Sequence, residues 1–217
     1  MANSTVEAEV RDELFWDPKV DGEAVAVAVA GDGTVTLRGT VGSFRQKREA
    51  AKAAQRVRRV TSVDNQLEVR LLTEHRREDA ELRGDVLQAL LLDSVIPSTV
   101  DASVKNGVVT LTGTADWQYQ RSEAEFVAAN VLGVVAVEEG IYLNSLGPQP
   151  DDIESGIAQA MQRDAKLDSA NVIVSVDRGI VTVKGTVRSW AERDAAVSAA
   201  WAAPGTVDVI DDLSVIY

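Results

Sequence analysis

The sequence predicts an α+β chain of three tandem small α-β-β-α-β domains, each a three-stranded mixed sheet covered by two helices. Three observations predict it. An octapeptide recurs as Gly33-Thr-Val-Thr-Leu-Arg-Gly-Thr40, Gly107-Val-Val-Thr-Leu-Thr-Gly-Thr114 and Gly179-Ile-Val-Thr-Val-Lys-Gly-Thr186, at spacings of 74 and 72 residues. A second column keeps the same spacings: Val63, Val137 and Val209 are followed by Leu67, Ile141 and Leu213, then by Val69, Leu143 and Val215. Helical apolar periodicity lies on both sides of the octapeptide. Two columns at one period make the chain three copies of one unit, with domains at 3–73, 76–146 and 150–217.

Each copy opens with a helix. Val86, Leu87, Leu90 and Leu91 form one apolar face in the second copy, as do Ile153, Ile157, Ala160 and Met161 in the third; Thr5 to Trp16 is the first copy's version. An alternating strand follows, clearest at Val25, Val27 and Val29. Turn signals come next at Gly31-Asp32-Gly33, Lys105-Asn106-Gly107 and Asp177-Arg178-Gly179. Asn-Gly favours a hairpin because both central residues need positive φ. The octapeptide strand buries Val35/Leu37, Val109/Leu111 and Val181/Val183 and turns its threonines outward. In each copy the first glycine of the pair, Gly33, Gly107 or Gly179, serves the turn. The second, Gly39, Gly113 or Gly185, ends the strand or admits a helix. A second helix is expected over 43–59, 117–131 and 189–202, before the valine-column strand.

The connectors differ. Gly147-Pro-Gln-Pro150 is rich in breakers, whereas Thr73-Glu-His-Arg-Arg77 has none and could run straight into the next helix. Units this small bury little surface, so contacts between copies are expected.

The octapeptide, the helix after it and the closing Val-x-x-x-Leu-x-Val strand resemble the BON domain, named for bacterial osmotic-shock and nodulation proteins. Trp201-Ala-Ala-Pro-Gly205 before the last strand fits the same pattern. The resemblance covers nearly the whole chain, three times, and is similar to that of three-BON proteins of actinobacteria. It implies a stress-linked or envelope-linked binding module for phospholipid surfaces, or potassium binding where a LysM domain accompanies it. No LysM-like segment is visible. The second copy departs in placing Trp117 four residues after Gly113, whereas Phe44 and Trp190 lie five after Gly39 and Gly185.

Chemistry is sparse. The chain has no cysteine and a single histidine, His75, set among charges in a connector. That excludes thiolate sites, a cysteine nucleophile and multi-histidine zinc sites. Neither a dinucleotide fingerprint nor a phosphate loop occurs. Asp151-Asp152 fits a helix N-terminus and Asp211-Asp212 a polar strand edge, with weak cation binding as the alternative at either pair. The expectation is a protein with no enzymatic activity, cofactor or metal site. No apolar run is long enough to span a membrane. The polar start, Met-Ala-Asn-Ser-Thr-Val-Glu, points to the cytoplasm, peripheral to a membrane at most.

Charge is distributed unevenly. Residues 1–73 carry 11 basic and 11 acidic residues, residues 74–147 carry 5 and 12, and residues 148–217 carry 6 and 11. Within the first copy Arg45, Arg48, Lys52, Arg56 and Arg59 step by helical intervals, beside a buried face of Ala50, Ala53, Ala54 and Val57; Lys47 and Arg58 add charge. This stripe is either a solvated face or a docking surface for something acidic: anionic phospholipid, nucleic acid, or an acidic copy or partner protein. Nucleic acid is disfavoured, since no aromatics interleave the stripe and two acidic copies repel it. The aromatics offer a second set of contacts. Trp117 and Trp190 fit a packing role at a helix start, with Trp117 and Tyr119 alternatively at a lipid interface; Trp16 and Trp201 fit contacts between domains or with a partner. The functional expectation is a scaffold that docks on anionic phospholipid or an acidic partner. The alternative is a module sensing a small cation such as potassium, or another ligand.

Overall fold

The computed structural model describes residues 2–144, 150–163 and 171–216. They fall into two compact units, one of residues 1–112 with 123–140 and the other of residues 113–122 with 141–217. Six α-helices and three three-stranded sheets occur among the described residues, in the α-β-β-α-β order expected of each copy.

In the first copy, α1 (Ala2–Trp16) precedes β1 (Val25–Val29) and β2 (Thr34–Val41). Helix α2 (Phe44–Arg56) then leads to β3 (Ser62–Val69). Strand β2 is central, antiparallel to β1 with Val27 opposite Leu37, and parallel to β3 with Val35 opposite Val63. The parallel pair needs a crossover, and α2 supplies it. Val6, Val10 and Leu14 of α1 pack with Val35 and Leu37 of β2 and with Ala50, Ala53 and Ala54 of α2 in one core. The alanine face lets α2 lie close on the sheet, and the strand alternation keeps the threonines off the core.

The second copy has α3 (Asp79–Leu92), β4 (Asp101–Lys105), β5 (Val108–Ala115), α4 (Gln118–Ala129) and β6 (Ala136–Leu143), with sheet order β4-β5-β6. Leu82, Val86 and Leu90 of α3 and Val109 and Leu111 of β5 are buried. Connector residues 73–75 form one 3-10 turn and Glu78 is extended, so the helix starts at Asp79 and does not continue from the first copy. Asp79 sets this start. Its carboxylate accepts the backbone N–H of Asn106 at 2.7 Å and of Gly107 at 2.9 Å, tying the helix to the β4–β5 turn.

The third copy has α5 (Pro150–Arg163), β7 (Val172–Asp177), β8 (Ile180–Val187), α6 (Trp190–Trp201) and β9 (Asp208–Val215). Its sheet repeats the first, with Val174 opposite Val183 and Val181 parallel to Val209. Ile153, Ile157 and Met161 join Val181, Val183 and Ala196 in its core. The stretch Gly147 to Gln149 lies outside the described residues, as do the side chains of Asp151 and Asp152 in the first turn of α5.

Asn106 and Gly107 have φ of 52° and 75°, the double positive φ that Asn-Gly predicts, and Arg178 and Gly179 adopt the same turn at 47° and 83°. Gly39 and Gly185 correct the expectation for the second glycine. Both lie within their strands and admit no helix; a Cβ would stand 2.1 Å from the Ala24 carbonyl oxygen and 2.0 Å from that of Asn171. The backbone leading into the first strand of each hairpin occupies that space. Gly113 lies within β5 in the same way, with φ of 120°.

Candidate functional site

The basic helix of the first copy is placed by its alanine face, which turns Arg45, Arg48, Lys52 and Arg56 away from the core. Three of these four are already engaged. Arg56 Nε donates to Glu13 Oε1 and Nη2 to Asp17 Oδ2, each at 2.6 Å. Asp17 is buried, and Oδ1 also accepts the Lys19 amide at 3.0 Å. The Arg56 guanidinium and that amide hold the Asp17 carboxyl below its ordinary range. Lys52 and Lys19 reach opposite oxygens of Glu49 at 3.5 and 3.1 Å. Burial pushes the Glu49 carboxyl up, and the two lysines bring it below its usual value. Arg48 Nη2 lies 3.8 Å from Glu125 of the acidic second copy.

The expected stripe is therefore partly consumed. The charge pattern of one helix cannot show that α1 lays carboxylates beside it. Arg59 leaves the stripe altogether, because α2 ends at Arg56 and Arg59 follows in a turn with φ of 73°. Among the described residues Arg45, Lys47, Arg58 and Arg59 form no ion pair.

The aromatics separate into two kinds. Trp16 is 78% exposed at the end of α1, and the ring of Phe15, itself 61% exposed, meets it edge-on at 5.4 Å. Tyr119 on α4 is exposed as well. Trp201 is half-buried at the end of α6, with the Arg121 guanidinium 4.8 Å from its ring centroid. Trp190 packs on the third core and carries Arg193 over its ring at 4.8 Å, while Arg193 Nε donates to Asp211 Oδ2 at 2.8 Å.

Trp117 does not share Trp190's position. Ser43 and Ser189 cap α2 and α6 by accepting from Gln46 and Glu192, whose side chains reach back to the amides of Gly42 and Arg188. In the second copy Gln120 reaches back to Asp116 and Trp117, so Trp117 occupies the capping place. Gln118 stands where Phe44 and Trp190 stand, and its Oε1 is buried without a partner.

Asp211 and Asp212 form no joint cation site, because adjacent strand residues face opposite sides. Asp211 meets Arg193, and Asp212 lies 3.0 Å from Lys184. His75 is half-buried in the connector's 3-10 turn. Among the described residues no three His, Cys, Asp or Glu side chains gather in a metal-holding group.

Two exposed apolar features differ from the sequence reading. Phe15 accompanies Trp16, and Leu91, read from sequence as part of the apolar face of α3, stands 80% exposed beside Leu92 at 78%, because the helix ends there beyond its last core residue. Both pairs directly follow the last core residue of their helix, Leu14 and Leu90. The signal available was that Phe15-Trp16 and Leu91-Leu92 fall at equivalent positions, where the third copy has Gln162-Arg163.

Three small crossover units in tandem carry apolar and cationic groups on their surfaces. The chain belongs to the BON-domain family, which matches residues 2–70, 78–143 and 150–217. It is 34% identical over 146 residues to osmotically-inducible protein Y of Escherichia coli strain K12, covering 65% of this chain and 72% of that protein. Two solved structures of CdsD, a structural protein of the type III secretion system of Chlamydia trachomatis, align at 14% identity and a TM-score of 0.28. They cover 97% and 96% of this chain and 96% and 91% of their own.

Proposed function

We propose that the chain is a non-catalytic binding protein that docks on anionic phospholipid surfaces during osmotic stress. The observation that carries the reading is the exposed Phe15–Trp16 pair at the end of α1. The Arg56–Asp17 bond, one residue beyond Trp16, brings the end of α2 to the same place, and Arg58 and Arg59 follow there without ion pairs. Aromatic rings of this kind settle at headgroup level. Each unpaired cation near an anionic surface adds about 1 kcal/mol, so the two beside this pair, Arg58 and Arg59, give only a salt-sensitive attachment. The acidic second and third copies are repelled, which leaves the first copy as the contacting one. The resemblance to a protein named for osmotic induction supports the stress association. Attachment is peripheral in this reading; among the described residues no helix is long and apolar enough to cross a membrane.

The test is co-sedimentation with phosphatidylcholine and with phosphatidylglycerol vesicles at low and moderate salt. Binding to the anionic vesicles alone is expected, weakened by salt and lost in Phe15→Ala/Trp16→Ala and in Arg58→Glu/Arg59→Glu. Equal binding by those variants, or no binding at low salt, would overturn the reading.

A further inference from the structure

We propose that the cavity at the junction of the first and second copies binds a small phosphate-bearing anion. The cavity, of about 390 Å³, opens among the end of β3, the connector, the start of α3, the β4–β5 turn and the turn after α4. That volume falls within the ordinary range of small-molecule sites, roughly 300–1,000 Å³.

Five charged residues line it: Arg70, Arg76, Arg77, Glu78 and Asp79. Asp79 spends both carboxylate oxygens on the amides of Asn106 and Gly107. Arg77 is held in place: Nη1 donates to the carbonyl oxygens of Glu74 and Arg76, both at 3.2 Å, and Nε lies 3.7 Å from Glu81. The stem of Arg77 lies over Gly133, where a Cβ would stand 3.2 Å from its Cγ. Among the described residues the side chains of Arg70 and Arg76 have no hydrogen-bond or ion-pair partner. Glu78 is the one lining carboxylate without a backbone donor, so two unpartnered guanidinium groups and the engaged Arg77 line the cavity with a single unengaged acid. Two of the three, Arg76 and Arg77, come from residues 74–147, which hold only 5 basic residues against 12 acidic ones.

The guanidinium count selects the ligand chemistry. One planar fork satisfies a carboxylate, whereas several forks from different directions match the oxygens of a phosphate. A phosphate held by Arg70 and Arg76 would also tie the end of β3 to the connector.

The probe is inorganic pyrophosphate, titrated into the full chain by calorimetry, with sodium chloride at equal ionic strength as control. Saturable binding is expected, with a raised thermal midpoint. Arg70→Ala/Arg76→Ala should weaken it at least ~10-fold, because charge-assisted bonds are lost. Both side chains are exposed, so the midpoint without anion should match the parent. Arg70→Lys/Arg76→Lys should fall between, since charge remains and the fork does not. Phe15→Ala/Trp16→Ala should bind pyrophosphate normally, which separates this site from the lipid-docking surface.

Vesicles of phosphatidic acid distinguish the source of the phosphate. Competition between vesicles and pyrophosphate, absent from the double alanine variant, assigns the site to a headgroup; pyrophosphate binding without competition assigns it to a soluble ligand. If neither probe binds, or if the double alanine variant binds like the parent, the proposal is wrong.

Discussion

Arg59 stands where the later copies have Gly133 and Gly205, and all three backbones are left-handed, with φ of 73°, 107° and 91°. A side chain in that region costs about 1 kcal/mol or more, so Arg59→Gly should raise thermal stability by up to ~1 kcal/mol, less the extra freedom glycine gives the unfolded chain. A thermal melt checks the sign. The same variant should weaken attachment to anionic vesicles, because it removes an unpaired cation. Asp17 gives a prediction in pH. Its carboxyl titrates below the ordinary 3.8 because Arg56 and the Lys19 amide donate to it. A carboxylate depressed by folding stabilises above its unfolded value, and the gain is lost as pH falls through the folded one. Urea denaturation should therefore show Asp17→Asn destabilised by about 2 kcal/mol at neutral pH. The difference from the parent should persist down to ~pH 4 and shrink below it. An equal difference at every pH would deny the ion pair its role.

At the scale of elements, Asp79 joins the first turn of α3 to the β4–β5 turn through two amides. Arg83, one turn on, donates from Nε to the Ala102 carbonyl of β4 at 2.7 Å. Removing the carboxylate in Asp79→Ala should cost roughly 1.5–3 kcal/mol and speed hydrogen exchange at Asn106 and Gly107 ahead of the β5 amides. Unchanged exchange at that turn would show that the sheet alone holds it. The central strands were legible from sequence because alternation and the paired glycines are local signals, and Val35, Leu37, Val109, Leu111, Val181 and Val183 are all fully buried as read. Helix ends were less legible. Counting from Gly113 aligns Trp117 near Trp190, yet Gln120 makes Trp117 the capping residue, a distinction carried by hydrogen bonds and not by spacing. The basic stripe was legible as a pattern and misleading as a surface. The partners of Arg56 lie 43 and 39 residues away in sequence, and nothing in the stripe announces them.

For the whole molecule, contacts between copies differ in worth. Arg48 and Glu125 are partly exposed and 3.8 Å apart, so a double-mutant cycle should find under ~0.5 kcal/mol. Arg121 over the half-buried Trp201 should show a coupling of about 1 kcal/mol in the cycle with Arg121→Ala and Trp201→Ala. If that coupling vanished, the ring would be a packing residue and no more. The three central strands carry a further consequence. Val-Thr-Leu-Arg-Gly-Thr, Val-Thr-Leu-Thr-Gly-Thr and Val-Thr-Val-Lys-Gly-Thr present nearly the same inward side chains in the same register. A folding chain could seat any of them in any of the three cores with little loss of packing. What assigns each to its own copy is chain proximity. A hairpin closes over a handful of residues, whereas a neighbour's strand lies 72 or 74 positions away, a difference of about four doublings in loop length and roughly 2.5 kcal/mol in closure entropy. Strand exchange between copies is thus the characteristic misfolding hazard of this molecule, and slow refolding at high concentration, where another chain's strand is as near as a neighbouring copy's, is where it should surface.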